Sequence, residues 1–187
     1  RPALRISDRA PSAVDDAWRI RFFTAETGDA YTGPFVIDRG SDATAGVSLQ
    51  DAIWTAPAGA QLPGIPLVTA GDVPLVTEEI DLAERRHTAI AYVPSLSTVH
   101  ESPDWPILFN NLVQRRLRAL PGIRDPNVRL GESAVVALPP GTRSVELTTP
   151  AGAKRDLTPA RILTAPAEEV GVYVLALPDA EYRYACN

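Results

Sequence analysis

The chain contains no methionine, a single cysteine and two histidines. Cys186 has no partner for an intramolecular disulfide, and a zinc site built from cysteines is excluded. His87 and His100 show no H-x-H or H-E-x-x-H spacing, so a histidine-based centre lacks ligands. Asp38, Asp42 and Asp51 do not follow the calcium-loop spacing. No metal is expected. Neither G-x-x-x-x-G-K-[ST] nor G-x-G-x-x-G occurs, so phosphate loops are missing and no cofactor is expected. A Gly-x-Ser-x-Gly or Gly-x-Cys-x-Gly nucleophile elbow is missing as well.

Aromatics are sparse and scattered, with 4 Phe, 5 Tyr and 3 Trp, which argues against a base-stacking platform. The 18 basic residues are outnumbered by 23 acidic ones, giving a net charge of -5, and no nucleic-acid partner is expected. No apolar run approaches the roughly 20 residues that span a bilayer. A chain without methionine that opens on Arg1-Pro2 reads as a piece of a longer protein, with any membrane spans outside it.

What is present is a folding composition, 45% hydrophobic and 22% charged. Its 18 prolines and 12 glycines call for short strands and many turns. Residues 1–17 read as a polar lead-in. Trp18 to Phe23 alternates apolar and charged residues, the mark of a half-buried strand. Residues 26–34 read as a loop, Phe35-Val36-Ile37 as a short strand, and 38–46 as a loop. Val47 to Trp54 reads as a short strand or turn. Two strands around Leu67–Ala70 and Pro74–Glu78 are joined at Gly71-Asp72, a hairpin signal. Glu78, Glu79 and Asp81 read as a solvated acidic turn. Thr88 to Val93 is apolar throughout, as in a buried strand.

A helix follows. Ser102 or Asp104 can cap it, and proline is tolerated in its first turn. Trp105, Leu108, Phe109, Leu112, Val113, Leu117 and Leu120 follow helical spacing and predict one apolar stripe. Arg115, Arg116 and Arg118 read as a solubilising face near its end, and Pro121-Gly122 stops it. Beyond Gly122 the helical period vanishes. Short strands are predicted at Ser133–Leu138, Arg143–Thr148, Lys154–Leu157, Gly171–Leu177 and Tyr182–Cys186. Their spacing suggests a small β-sandwich of immunoglobulin-like type. The fold class is therefore α+β, with a partial α/β domain over 1–124 and a β domain over 125–187.

The acid/base candidates are His100 and Glu101, adjacent residues just before the helix. Class I glutamine amidotransferases carry a triad His and Glu in a similar place, but separated by one residue and served by a cysteine on an elbow. Here the pair is adjacent and Cys186 lies in the β domain. A sugar platform on Trp18, Trp54 or Trp105 is a further alternative.

The ordered segments resemble a family. Phe35-Val36-Ile37-Asp38 with Gly46-Val47-Ser48-Leu49, Ala70-Gly71 with Pro74-Leu75-Val76, Ala89-Ile90-Ala91-Tyr92-Val93, and Asp104-Trp105-Pro106-Ile107-Leu108-Phe109-Asn110-Asn111-Leu112 follow one another. Then come Arg129-Leu130-Gly131-Glu132, Leu138-Pro139-Pro140-Gly141 and Val170-Gly171-Val172-Tyr173. Over roughly residues 35–177 this order resembles the extracytoplasmic region of BatA-type (aerotolerance-related) membrane proteins that carry a von Willebrand factor A domain. The resemblance implies a partial flavodoxin-like, glutamine-amidotransferase-like unit followed by a small immunoglobulin-like β domain. It also implies a noncatalytic assembly module, periplasmic and tethered to the inner membrane. Its partner would be the A domain of the same parent chain or a membrane complex. The alternative is an amidotransferase-like enzyme or sugar-binding domain using His100 and Glu101.

Overall fold

The computed structural model describes residues 4–7, 17–82 and 84–187. Most of the predicted lead-in lies outside these residues. The fold is mixed α+β, mostly strands with one α-helix among the described residues. The chain divides into two compact units, residues 1–117 and 118–187. The division falls inside the last turns of the helix, a few residues before the change in sequence character at 124.

The first unit is built on strands β1 (Leu4–Ser7), β2 (Trp18–Phe23), β3 (Asp29–Tyr31), β4 (Phe35–Ile37), β5 (Trp54–Ala56), β6 (Ile65–Ala70), β7 (Val73–Ile80) and β8 (Arg86–Ala91), followed by helix α1 (Asp104–Ala119). Six of these strands form one sheet in the order β1-β2-β8-β7-β6-β4, parallel across β1, β2 and β8 and antiparallel from β8 to β4. The alternation in β2 turns Trp18 and Ile20 into the core. The hairpin signal holds, with Gly71 in the left-handed region at φ 56°. Residues 26–34 depart from the predicted loop: Asp29–Tyr31 pairs antiparallel with β5 as a two-stranded ribbon. Residues 47–53 form turns rather than a strand, with Leu49 and Asp51 at φ 58° and 57°.

Register explains the core. Phe22, Ile90, Val76, Val68 and Ile37 are consecutive cross-strand partners, so one apolar row crosses five strands. The same cluster takes in Leu108 and Leu112 of α1, and Phe109 stacks on Phe22 at 6.2 Å between ring centroids. Each buried leucine contributes roughly 1.5–3 kcal/mol before entropy. The predicted stripe is narrower than its spacing suggested, because Val113 and Leu117 face solvent. Trp54 is wholly buried, and its indole N–H donates to the Ala91 carbonyl at 2.7 Å.

The second unit contains β9 (Gly122–Ile123), β10 (Asn127–Val128), β11 (Ser133–Ala137), β12 (Val145–Thr148), β13 (Lys154–Leu157), β14 (Ile162–Pro166), β15 (Gly171–Ala176) and β16 (Glu181–Cys186). They make a five-stranded sheet, β10-β16-β15-β12-β13, and a three-stranded sheet, β14-β11-β9. Inward residues of both sheets, among them Val136, Leu163, Leu147 and Leu175, share one core. Tyr173 and Tyr184, partners across β15 and β16, stack at 4.8 Å with nearly parallel rings. The strands β9, β10 and β14 lie outside the predicted set.

All three tryptophans lie in the first unit, so indole emission reports its unfolding separately. Trp54→Ala is expected to destabilise that unit by about 3–5 kcal/mol through the cavity it leaves. Trp54→Phe, which strands the Ala91 carbonyl, should cost about 1–3 kcal/mol. Urea denaturation followed by tryptophan fluorescence measures both, and a Trp54→Phe variant as stable as wild type would show that the hydrogen bond contributes little.

Candidate functional site

Two polar constellations flank α1 in the first unit. At its start, Ser102 Oγ accepts from the Asp104 amide at 3.2 Å, the cap that the sequence offered. Asp104 has another role. Its carboxylate accepts from the backbone amides of Ser48 and Leu49, each at 2.8 Å, and from the Ser102 hydroxyl at 3.0 Å. The left-handed conformation of Leu49 aims its amide and that of Ser48 at one acceptor. Asp104 is buried. Burial alone would raise its pKa, but the amides of Ser48 and Leu49 and the hydroxyls of Ser102 and Ser48 outweigh it. The carboxyl is therefore held below its ordinary value. Asn111, about two turns along, donates to the carbonyls of Ala43 and Ala45 at 3.1 and 2.7 Å.

His100 and Glu101 occupy a short 3-10 turn, Val99–Glu101, before this latch. Both are exposed, and His100 Nε2 stands 3.9 Å from Glu101 Oε1, too far for a hydrogen bond. The His100 ring sits edge-on to Tyr92, with centroids 6.0 Å apart. Burial, and then the Glu101 carboxylate, push the Tyr92 phenol above its ordinary value. Cys186 is buried in the core of the second unit. Trp18 and Trp54 are buried, and Trp105 packs among Phe22, Tyr92 and Phe109 in the core. Neither Trp18 nor Trp54 offers a face to a sugar.

The second constellation corrects the sequence reading. Glu78 is not in a solvated turn. It lies in β7 with its side chain 9% exposed, gripped bidentately by Arg115 at 2.8 and 3.1 Å and approached by Arg86. Arg115 and Arg116 are likewise not a solubilising face: Arg116 lies over the Trp18 ring, 5.1 Å from its centroid. No local pattern could reveal this, since Glu78 and Arg115 are 37 positions apart. Asp81 does stand at a turn, bonded to Arg85 Nε at 2.6 Å and to His87 Nε2 at 3.2 Å.

The Glu78 cluster forms one wall of an open groove of about 650 Å³. Asp38, Ser41, Asp42, Ile65, Glu79 and Ile80 also line it. Gly64 shapes it: at φ 94°, a Cβ there would come within 2.4 Å of the Glu78 carbonyl oxygen. Among the described residues no group of three or more His, Cys, Asp or Glu side chains is placed to hold a metal ion. No helix among the described residues is long and apolar enough to cross a membrane.

No family model matches the chain, and no curated protein or solved structure matches it either.

Asp104→Asn should destabilise the first unit by about 1–3 kcal/mol, because an amide N–H₂ would face a buried backbone N–H. The pH dependence follows from a folded pKa below the unfolded one. The carboxylate stabilises fully above its unfolded pKa, about 4, and this stabilisation is lost as pH falls through the lower folded value. Urea midpoints followed by tryptophan emission between neutral pH and about pH 2 should fall more steeply in the wild type than in Asp104→Asn. Parallel curves would rule out Asp104 as a source of acid sensitivity. His100→Ala should stay within about 0.5 kcal/mol of wild type.

Proposed function

We propose that this chain is a noncatalytic, extracytoplasmic protein-interaction and assembly module of a membrane-anchored protein with a von Willebrand factor A domain. One observation carries the proposal. The loop where an amidotransferase would place its His and Glu devotes its buried polar groups to holding the fold. Asp104 binds the Ser48 and Leu49 amides, while His100 and Glu101 face solvent unlinked. A general base needs a third group to orient it and a proton within reach.

In this reading the first unit is a reduced flavodoxin-like, amidotransferase-like layer. Its parallel β1-β2-β8 edge and the helix packed on the sheet support that assignment. The second unit is an immunoglobulin-like β domain, supported by two sheets on one core. Periplasmic location, an inner-membrane tether and the A domain or a membrane complex as partner come from the family resemblance.

The parent gene, read on both sides, should encode membrane spans and an upstream D-x-S-x-S metal motif. The chain, immobilised and titrated with its parent's A domain, should give saturable binding by surface plasmon resonance. His100→Ala and Glu101→Ala should leave that binding unchanged, with glutamine hydrolysis at background throughout. Glutaminase activity that disappears in His100→Ala would overturn the proposal in favour of an enzyme. No A-domain binding would remove that domain as the partner.

A further inference from the structure

We infer that the outer edge of β1 takes an added strand from a partner protein, an extended segment that alternates aliphatic and acidic side chains. The inference rests on the interaction-module reading and gives the partner's chemistry. β1 is the outermost strand of the six-stranded sheet, and among the described residues it pairs with β2 alone. Its outer side has no strand against it among those residues. Such an edge is the template on which an extended chain adds as a further strand through main-chain hydrogen bonds. The side chains on the two faces beside the edge then select which chain is added.

One of these faces is apolar. Leu4 and Ile6 pair with Trp18 and Ile20, so they share the sheet face that α1 covers. Phe109 stacks on Phe22 and Arg116 lies over Trp18, which sets the helix along β2. Arg115 reaches the other way, to Glu78 on β7. At about 100° per residue, Val113 and Leu117 fall on the flank away from Arg115, past Phe109 and Arg116, and that flank looks to the β1 side of the sheet. Ile6, Val113 and Leu117 are 61%, 40% and 53% exposed. A strand added outside β1 turns every second side chain to this face, where aliphatic groups beside Ile6 and under the helix flank leave water.

The other face is basic. Arg5 and Arg19 are cross-strand partners there, and Arg21 stands two residues beyond Arg19, beside Ser7 of β1. The carboxylate in the row of Arg5, Arg19 and His87 is Glu79, three strands from β1. Arg5 and Arg19 are already engaged in contacts. Arg21 is held over the Phe23 ring, 4.3 Å from its centroid, and its buried Nε has no hydrogen-bond partner among the described residues. A guanidinium stacked on a ring keeps the end of its fork for a carboxylate. Only Ser7 separates it from the row of an added strand. A second copy adding its own β1 would bring another Arg5 to this face, basic beside basic, which is unfavourable. Acidic residues in the alternate positions of the added strand match the face instead.

The test uses the full chain and two fluorescein-labelled octapeptides, one alternating Val and Glu, the other Val and Lys. Fluorescence anisotropy should show the Val-Glu peptide binding at least about tenfold more tightly, with the difference shrinking at high salt. A carbonyl-labelled Val-Glu peptide should show its amide I band move to the β-sheet position on binding. Val113→Asp with Leu117→Asp, at exposed positions of the helix, should weaken the peptide about tenfold or more. Arg21→Gln should narrow the gap between the two peptides. Unchanged tryptophan emission verifies that both variants are folded.

Equal affinity for the two peptides overturns the inference, as does undiminished binding in the helix variant or a bound peptide without the β-sheet band. A dimer in sedimentation that the helix variant abolishes, with no peptide bound, also overturns it, since a second copy would then occupy the edge. The module reading is tested apart from this. If the A domain binds wild type and both variants equally while neither peptide binds, the edge fails and the module stands. If the A domain does not bind at all, the peptide result still decides the edge.

Discussion

The carboxylate of Asp104 is the point on which the first unit turns. It satisfies two backbone amides, of Ser48 and Leu49, in a stretch whose apolar residues Val47, Leu49 and Ala52 are buried and which has no strand to pair with. A buried amide without a partner is costly, so this loop can be buried only while the helix supplies the acceptor. The same bond fixes the rotation of α1. Asp104, Leu108 and Leu112 lie four residues apart and share one face, and Arg115 follows three residues on. With the first residue tied to the loop, the two leucines are aimed at the sheet and Arg115 at Glu78.

Local signals in the sequence were readable where the structure uses local rules. The alternation in Trp18–Phe23, the Gly71-Asp72 turn, the apolar run into β8, the limits of the helix and the strand Lys154–Leu157 are set by neighbours within a few residues. The mixed α+β character follows from those elements. Strands of two to five residues, such as β3, β9, β10 and β14, are set by distant partners and carry too few residues to show a period. Val113 and Leu117 fit the helical stripe but lie beyond the sheet's cover. Spacing gives the angle of a side chain around the helix and says nothing of what stands opposite.

The acidic run shows the same limit for charges. Glu78, Glu79 and Asp81 look alike in sequence, yet they have three fates: Glu78 buried in a guanidinium grip, Glu79 exposed, Asp81 braced by Arg85 and His87. What separates them is the strand's two-residue period, which turns Glu78 toward α1 and Glu79 away from it. A reading that groups charges by proximity misses a division that the pleat imposes.

These two constellations commit their charged groups to contacts within the fold. Removing one member of a buried ion pair leaves the other charge uncompensated, at a cost of about 3–5 kcal/mol. Glu78 and Arg115 are therefore bound to each other, and a ligand that recruited either would have to replace the bidentate contact it broke. Asp104 is held in the same way by its amides. The helix is thus fixed at its first turn and again about three turns further on, and the contacts at both points are internal.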